Sequence, residues 1–165
     1  MTIIKRKVFA YITHGNRLLV FSHPDHPEAG IQVPAGSIKE GERLGAAVLR
    51  EAFEETGLDG LELVAFLGEQ RRDMADFGLG QIHLRHFYHL RCNGNPPETW
   101  RHYERDPSEG GSGPIAFDFF WAPLPDDVPA LIADQDAMLP RLLETVGDGD
   151  GFSGGNRLKP ALQTS

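Results

Sequence analysis

The chain has 165 residues, 40% of them hydrophobic and 24% charged, which suits one compact domain with a sizeable core and excludes a disordered or membrane-spanning chain. Sixteen basic against twenty-four acidic residues give a formal charge of −8; this repels a phosphate backbone and argues against long nucleic acid, while a small phosphorylated ligand remains compatible with a site that carries its own cations or metal. The one cysteine, Cys92, allows neither an internal disulfide nor a multi-cysteine metal cluster, as in a reducing cytoplasm.

The basic start Lys5-Arg6-Lys7 leads into an apolar stretch, residues 8–12, too short for a signal peptide or a membrane span, so a cytoplasmic protein without a membrane partner is expected. Residues 7–13 and 18–22 are rich in strand formers and flank His14-Gly15-Asn16, which predicts a hairpin. Pro24, Pro27, Gly30, Pro34 and Gly36 then break the chain into a shaped loop, with room for a brief strand at 31–33. Residues 43–56 contain no proline and one internal glycine; Glu40 and Glu42 precede them and Gly57 follows, the pattern of a helix with its stop.

Strands are expected over 61–68 and 81–92. In the second, Ile82, Leu84, Tyr88 and Leu90 alternate with His83, Arg85, His89 and Arg91, which predicts one buried face. The stretch 93–113, rich in proline, glycine and charge, is expected as a functional loop, and 115–121 as a strand. Leu131, Ile132, Met138, Leu142 and Leu143 recur at helical intervals across 130–146, with Pro140 as a kink. A loose Gly-rich tail is expected from 147, which puts the domain at 1–146.

The helix over 43–56 carries the chemistry. At about 100° per residue, Glu51, Glu54 and Glu55 fall on one face and Leu49, Ala52 and Phe53 roughly opposite, an apolar stripe able to pack on a sheet. Like charges at i,i+3 or i,i+4 each cost roughly 0.2–0.5 kcal/mol in an isolated helix. Arg50 can pair with Glu54 but leaves negative charge over, and hard carboxylate oxygens suit Mg²⁺. Such an ion would bridge substrate phosphates and activate a water for attack on phosphorus. Glutamates on a helix are usually a solvated face; here they stand in register with Glu42 and with the turn Pro34-Ala35-Gly36.

In that register Gly36, Glu42, Arg50, Glu51, Ala52, Glu54, Glu55, Gly57 and Leu58 fill every position of G-x5-E-x7-R-E-U-x-E-E-x-G-U, with U apolar. The segment thus resembles the Nudix box. The resemblance implies an α+β fold, an α/β/α sandwich around a mixed β-sheet, and hydrolysis of a phosphoanhydride bond in a nucleoside diphosphate linked to another moiety X. It further implies divalent-metal binding by Glu51, Glu54 and Glu55 with the Gly36 carbonyl, positioning of the glutamates by Arg50, and support from Glu42. The cofactor is expected to be Mg²⁺, with Mn²⁺ as an alternative, and a homodimer is expected from the family at large.

The general base varies across that family. Glu54 is the first choice; Glu98, Glu104 and Glu109 of the 93–113 loop could supply the base instead, but are left out of the site as solvated surface. Arg71, Arg72 and Arg85 are expected near substrate phosphates, and Phe87, Trp100 or Trp121 can stack on a base, against the plainer readings of surface solvation and core packing. Pro34-Ala35-Gly36 resembles the ADP-ribose-hydrolysing branch, but Arg72-Asp73-Met74 stands where that branch has a proline, so no subclass is assigned. The rival reading is a Nudix-fold module that senses a nucleotide without turnover; box carboxylates retained at electrostatic cost favour the enzyme.

Other patterns carry less. His83, His86 and His89 would form a zinc stripe on a helix, but on a strand His86 points away from the other two. Gly149-Asp150-Gly151-Phe152-Ser153-Gly154 has no strand before it, and Asp76-Phe77-Gly78 lacks every other kinase element.

Overall fold

A computed structural model describes residues 2–104 and 114–148; the expected tail, with its glycine-rich string, lies almost wholly outside them. The strands are β1 (Ile3–His14), β2 (Arg17–Ser22), β3 (Ala35–Ser37), β4 (Leu61–Asp73), β5 (Gln81–Cys92), β6 (Thr99–Glu104) and β7 (Ile115–Pro123). The helices are α1 (Leu44–Thr56) and α2 (Leu139–Asp148), with 3₁₀ turns at Pro27–Ala29, Ala75–Phe77 and Ile132–Asp134. Seven strands form one sheet in the order β4-β5-β1-β2-β7-β6, with β3 also paired to β1. The sheet is mixed, because β1 runs parallel to β5 while the other pairings are antiparallel.

The expected hairpin forms, but β1 and β2 share only the pairs Thr13↔Leu18 and His14↔Arg17 before they part. Beyond that point β1 pairs with β3, from Lys7↔Ser37 to Phe9↔Ala35, and β2 turns to β7. The divergence brings Ala35 and Gly36, the start of the glycine-led motif, beside the central strand.

Both faces of the sheet are covered. Val8, Ala10, Ile12 and Leu90 pack with Ala47, Val48 and Ala52 of α1 on one side; Phe9, Tyr11, Leu18 and Phe87 pack with Leu142 and Val146 of α2 on the other. Each large apolar side chain removed from water in this way contributes roughly 1.5–3 kcal/mol. This is the expected sandwich. Among the described residues, no helix is long and apolar enough to cross a membrane.

Several elements differ from their sequence reading. Residues 31–33 make isolated bridges to Phe21 and Leu131, and the short strand forms at Ala35–Ser37 instead. β5 is largely buried on both faces, His83, Arg85 and His89 included, because one face packs in the cluster with α1 and the other in the cluster with α2. The stretch 93–113 contains β6, an edge strand paired with β7. Residues 130–146 divide into a 3₁₀ turn and α2, and Pro140 is the second residue of α2, where a missing N–H and a fixed φ are tolerated. On α1, Phe53 is exposed while Glu51 and Glu55 are buried, so the helix turns part of its acidic face inward.

His89 has a consequence for stability. It is buried, bonded through Nε2 to Thr13 Oγ1 at 2.8 Å, with Nδ1 unpartnered. Burial, and after it the charge of Arg91, pushes its pKa down from 6.5 to about 4. A depressed histidine must be neutral in the fold, so its contribution is complete above pH 6.5 and is lost as pH falls toward 4, about 3 kcal/mol in all. Denaturant unfolding between pH 7 and 4 should show this slope, reduced in His89→Gln. Equal slopes in the two proteins would contradict the assignment.

Candidate active site

The carboxylates converge at the last turns of α1. Gly57 ends this helix at φ 74°, with its N–H bonded to Phe53 O at 2.8 Å, a left-handed stop that favours glycine. β6 docks on the same end. Trp100 Nε1 donates to Thr56 O at 2.9 Å, and His102 Nε2 lies 3.0 Å from Glu54 O. Trp100, His102 and Glu104 share one face of β6 by strand alternation, and Glu104 is thereby carried to Glu51 and Glu55. One carboxylate oxygen from each lies within 4.8 Å of the others.

Each carboxylate has a defined support. Ala35 N–H donates to Glu55 Oε1 at 3.1 Å. Arg50 reaches Glu51 Oε2 at 2.8 Å through Nη1 and grips Glu42 with Nε and Nη2 at 2.7 and 2.8 Å; Nη2 also meets Ser37 O at 3.1 Å. The guanidinium, with the Lys39 N–H, holds the Glu42 carboxyl down at about 2. Glu42 therefore stays ionised and anchors Arg50, which in turn orients Glu51. A Cβ at Gly36 would fall within the Glu51 carboxyl group, so glycine is required there by close approach.

Burial pushes the Glu51 carboxyl up against the pull of Arg50, and pushes Glu55 well up, with the negative charge of Glu104 as the next cause. Two buried acids and a third beside them therefore favour either a proton or a cation. The donors are all hard oxygens, which fits a divalent ion of the Mg²⁺ type. A cavity of about 410 Å³ opens from this end, with Glu55 and Glu104 at one part of its lining and Met74, Phe77, Arg85 and Ile132 at another.

Of the residues expected from sequence, Glu51, Glu55 and Gly36 are brought together. Glu54 is outside that group: its side chain is 47% exposed and accepts from Arg50 at 3.2 Å. Arg85 lines the cavity, Arg72 is bonded to Asp76 and Asp134, and Arg71 is exposed. Phe87, Trp100 and Trp121 pack in the core against Phe9 and Phe119 and within the two apolar clusters. Glu98 pairs with Arg17 at 2.7 Å on the surface, and Glu109 lies outside the described residues. Among the described residues, no histidine belongs to a group with metal-ligand spacing.

Sequence reasoning weighed Glu104 and left it out of the site. The run Thr99-Trp-Arg-His-Tyr-Glu104 is rich in strand formers and alternates as a strand does, a signal masked by the prolines and glycines around it.

The NUDIX domain model matches residues 4–137 of the chain. No curated protein sequence matches it. Among solved structures the chain is similar to a UDP-X diphosphatase, at 16% identity and a TM-score of 0.59, over 88% of this chain and 65% of that one; it thus spans just under two thirds of that protein. It is also similar to a MutT NUDIX hydrolase from Burkholderia pseudomallei, at 21% identity and 0.55, over 84% and 98% of the two chains. An ADP-ribose pyrophosphatase from Streptococcus suis is similar at 21% identity and 0.54, over 86% and 90%. At these identities the likeness is one of fold.

Proposed function

The chain belongs to the Nudix family, and on that premise we propose that it is a metal-dependent pyrophosphohydrolase acting on a nucleoside diphosphate linked to a second moiety X. The observation that carries this reading is the meeting of Glu51, Glu55 and Glu104 at the wall of a cavity. The likeness to a UDP-X diphosphatase and to an ADP-ribose pyrophosphatase supports the substrate class.

In this reading Glu51, Glu55 and Glu104, with the Gly36 carbonyl, hold Mg²⁺ or Mn²⁺. When bound, the ion offsets phosphate charge and lowers the pKa of a water. The protein's own groups prepare the rest. Arg50 keeps Glu51 turned toward Glu55, and the Ala35 amide fixes the Glu55 rotamer. Water attack forms one P–O bond, breaks the anhydride P–O bond and releases a proton. Glu54, exposed beside Arg50 and outside the metal-holding group, is the carboxylate that takes that proton in this reading.

Incubation with ADP-ribose, nucleotide sugars, dinucleoside polyphosphates and nucleoside triphosphates, each with and without Mg²⁺ or Mn²⁺, tests the proposal. The expected result is release of a nucleoside monophosphate and a phosphorylated X from at least one diphosphate substrate, only when metal is present. Binding without any turnover across the panel would favour a sensing module instead.

A further inference from the structure

Two residues other than glycine have a left-handed backbone among the described residues, and they are adjacent: Ala133 (φ 53°) and Asp134 (φ 58°), in the turn Ile132–Asp134. A Cβ disfavours this conformation, so it persists only where the surroundings impose it, and such strain gathers at ligand clamps. Here two arginines from adjacent strands impose it. Arg85 of β5 donates from Nη1 to Ala133 O at 2.6 Å. Arg72 of β4 donates from Nε to Asp134 Oδ2 at 2.8 Å and, with its other nitrogens, holds both Asp76 oxygens at 2.9 Å.

Arg72 also lies 5.4 Å over the ring of Phe77, so it ties the turn Ala75–Phe77 to the turn Ile132–Asp134. Both turns line the cavity that begins at Glu55 and Glu104. Gln135 continues that wall and is locked in turn: its carbonyl accepts from Tyr11 Oη at 2.6 Å and its Oε1 from Val33 N–H at 2.9 Å.

The two guanidiniums are committed to protein acceptors. Arg85 is 1% exposed, sits 4.8 Å over the ring of Phe9, and has its Nε buried without a partner. The acids whose charge it feels, Asp76 and Asp134, are hydrogen-bonded by Arg72. Away from the carboxylates the lining combines Phe9, Met74, Phe77 and Ile132 with the polar side chains of Gln32, His83, Arg85 and Gln135. Apolar and aromatic walls interrupted by a few polar groups suit a planar nucleobase, whose edge those groups can meet, better than a hydroxyl-dense sugar.

We propose that Arg72 and Arg85 are positioning residues that hold the strained 132–135 segment as one wall of a nucleobase subsite, and so set the preference for one base. The proposal rests on the hydrolase reading for the placement of phosphates at the carboxylate end. Its test uses the full chain and two measurements: calorimetric binding of AMP, GMP, CMP and UMP without added metal, and Mg²⁺-dependent hydrolysis of ADP-ribose, GDP-mannose and UDP-glucose.

The wild type should bind one monophosphate at least tenfold more tightly than the others. Arg72→Met and Asp134→Ala, both checked for folding by circular dichroism, should bring the four within threefold. Arg85→Met should do the same, while Arg85→Lys, which keeps a donor for Ala133, should retain much of the preference. In hydrolysis the loss should appear as a tenfold or larger rise in KM with kcat within threefold, a split that a general loss of structure would not give.

Equal binding of all four bases by the wild type would overturn the proposal. So would an unchanged preference in folded Arg72→Met and Asp134→Ala, or a fall in kcat with KM unmoved. Base preference without hydrolysis of any substrate would sink the hydrolase reading and leave the subsite standing; hydrolysis without base preference would do the reverse.

Discussion

Glu55→Gln and Glu51→Gln should each lower turnover by roughly 10²–10⁴, about 3–5 kcal/mol of activation free energy, in proteins that remain folded. Both side chains are buried, at 5% exposure for Glu51 and 7% for Glu55. Glutamine fills the same volume, and at position 55 its Oε1 can still accept from the Ala35 N–H; what is lost is the negative charge and a metal ligand. The effect on stability should differ from that on activity. Burial and the charge of Glu104 disfavour the ionised Glu55, so Glu55→Gln removes an unfavourable charge, and each 1 kcal/mol relieved raises Tm by roughly 2–4 °C. Lost turnover with a steady or higher Tm is the signature of a carboxylate kept for chemistry. A folded Glu55→Gln protein with wild-type turnover would remove the site from consideration.

Glu104→Gln should cost roughly a hundredfold or more in kcat, because it takes one ligand from the group with Glu51 and Glu55. The control is Glu98→Gln. Glu98 lies in the same proline-rich stretch but pairs with Arg17 at the surface, so its loss should change turnover less than threefold. Gly36→Ala should be as harmful as Glu104→Gln, since the added methyl and the Glu51 carboxyl group require the same space. Steady-state kinetics on the three variants checks this ranking. If Glu98→Gln were the damaging one, the placement of β6 against α1 would be wrong.

The site was legible in sequence where its parts are local. Gly36, Glu42, Arg50, Glu51 and Glu55 lie within β3, the loop after it and α1, and their spacing alone places them in register. The stop at Gly57 and the strands of the central sheet follow from turn chemistry and apolar runs of the same short range. What escaped depends on contacts between distant segments. Glu104 reaches the site because Trp100 and His102 seat β6 on the end of α1, a docking that no local pattern encodes. The apolar stripe expected to include Phe53 fails for a related reason. The sheet edge at Ala35 and Gly36 draws Glu51 and Glu55 inward, which rotates Phe53 toward solvent. Arg85 is buried because the odd-numbered face of β5, which carries Phe87, is covered by the layer that includes α2, where an alternating pattern alone suggests a solvated strand face.

Titration of Mn²⁺, followed by electron paramagnetic resonance, into the wild type and into Glu55→Gln, Glu104→Gln and Glu98→Gln tests most directly whether Glu51, Glu55 and Glu104 share an ion. Binding should weaken at least tenfold in Glu55→Gln and Glu104→Gln and stay unchanged in Glu98→Gln. Wild-type Mn²⁺ affinity in both Glu55→Gln and Glu104→Gln would contradict a shared ion.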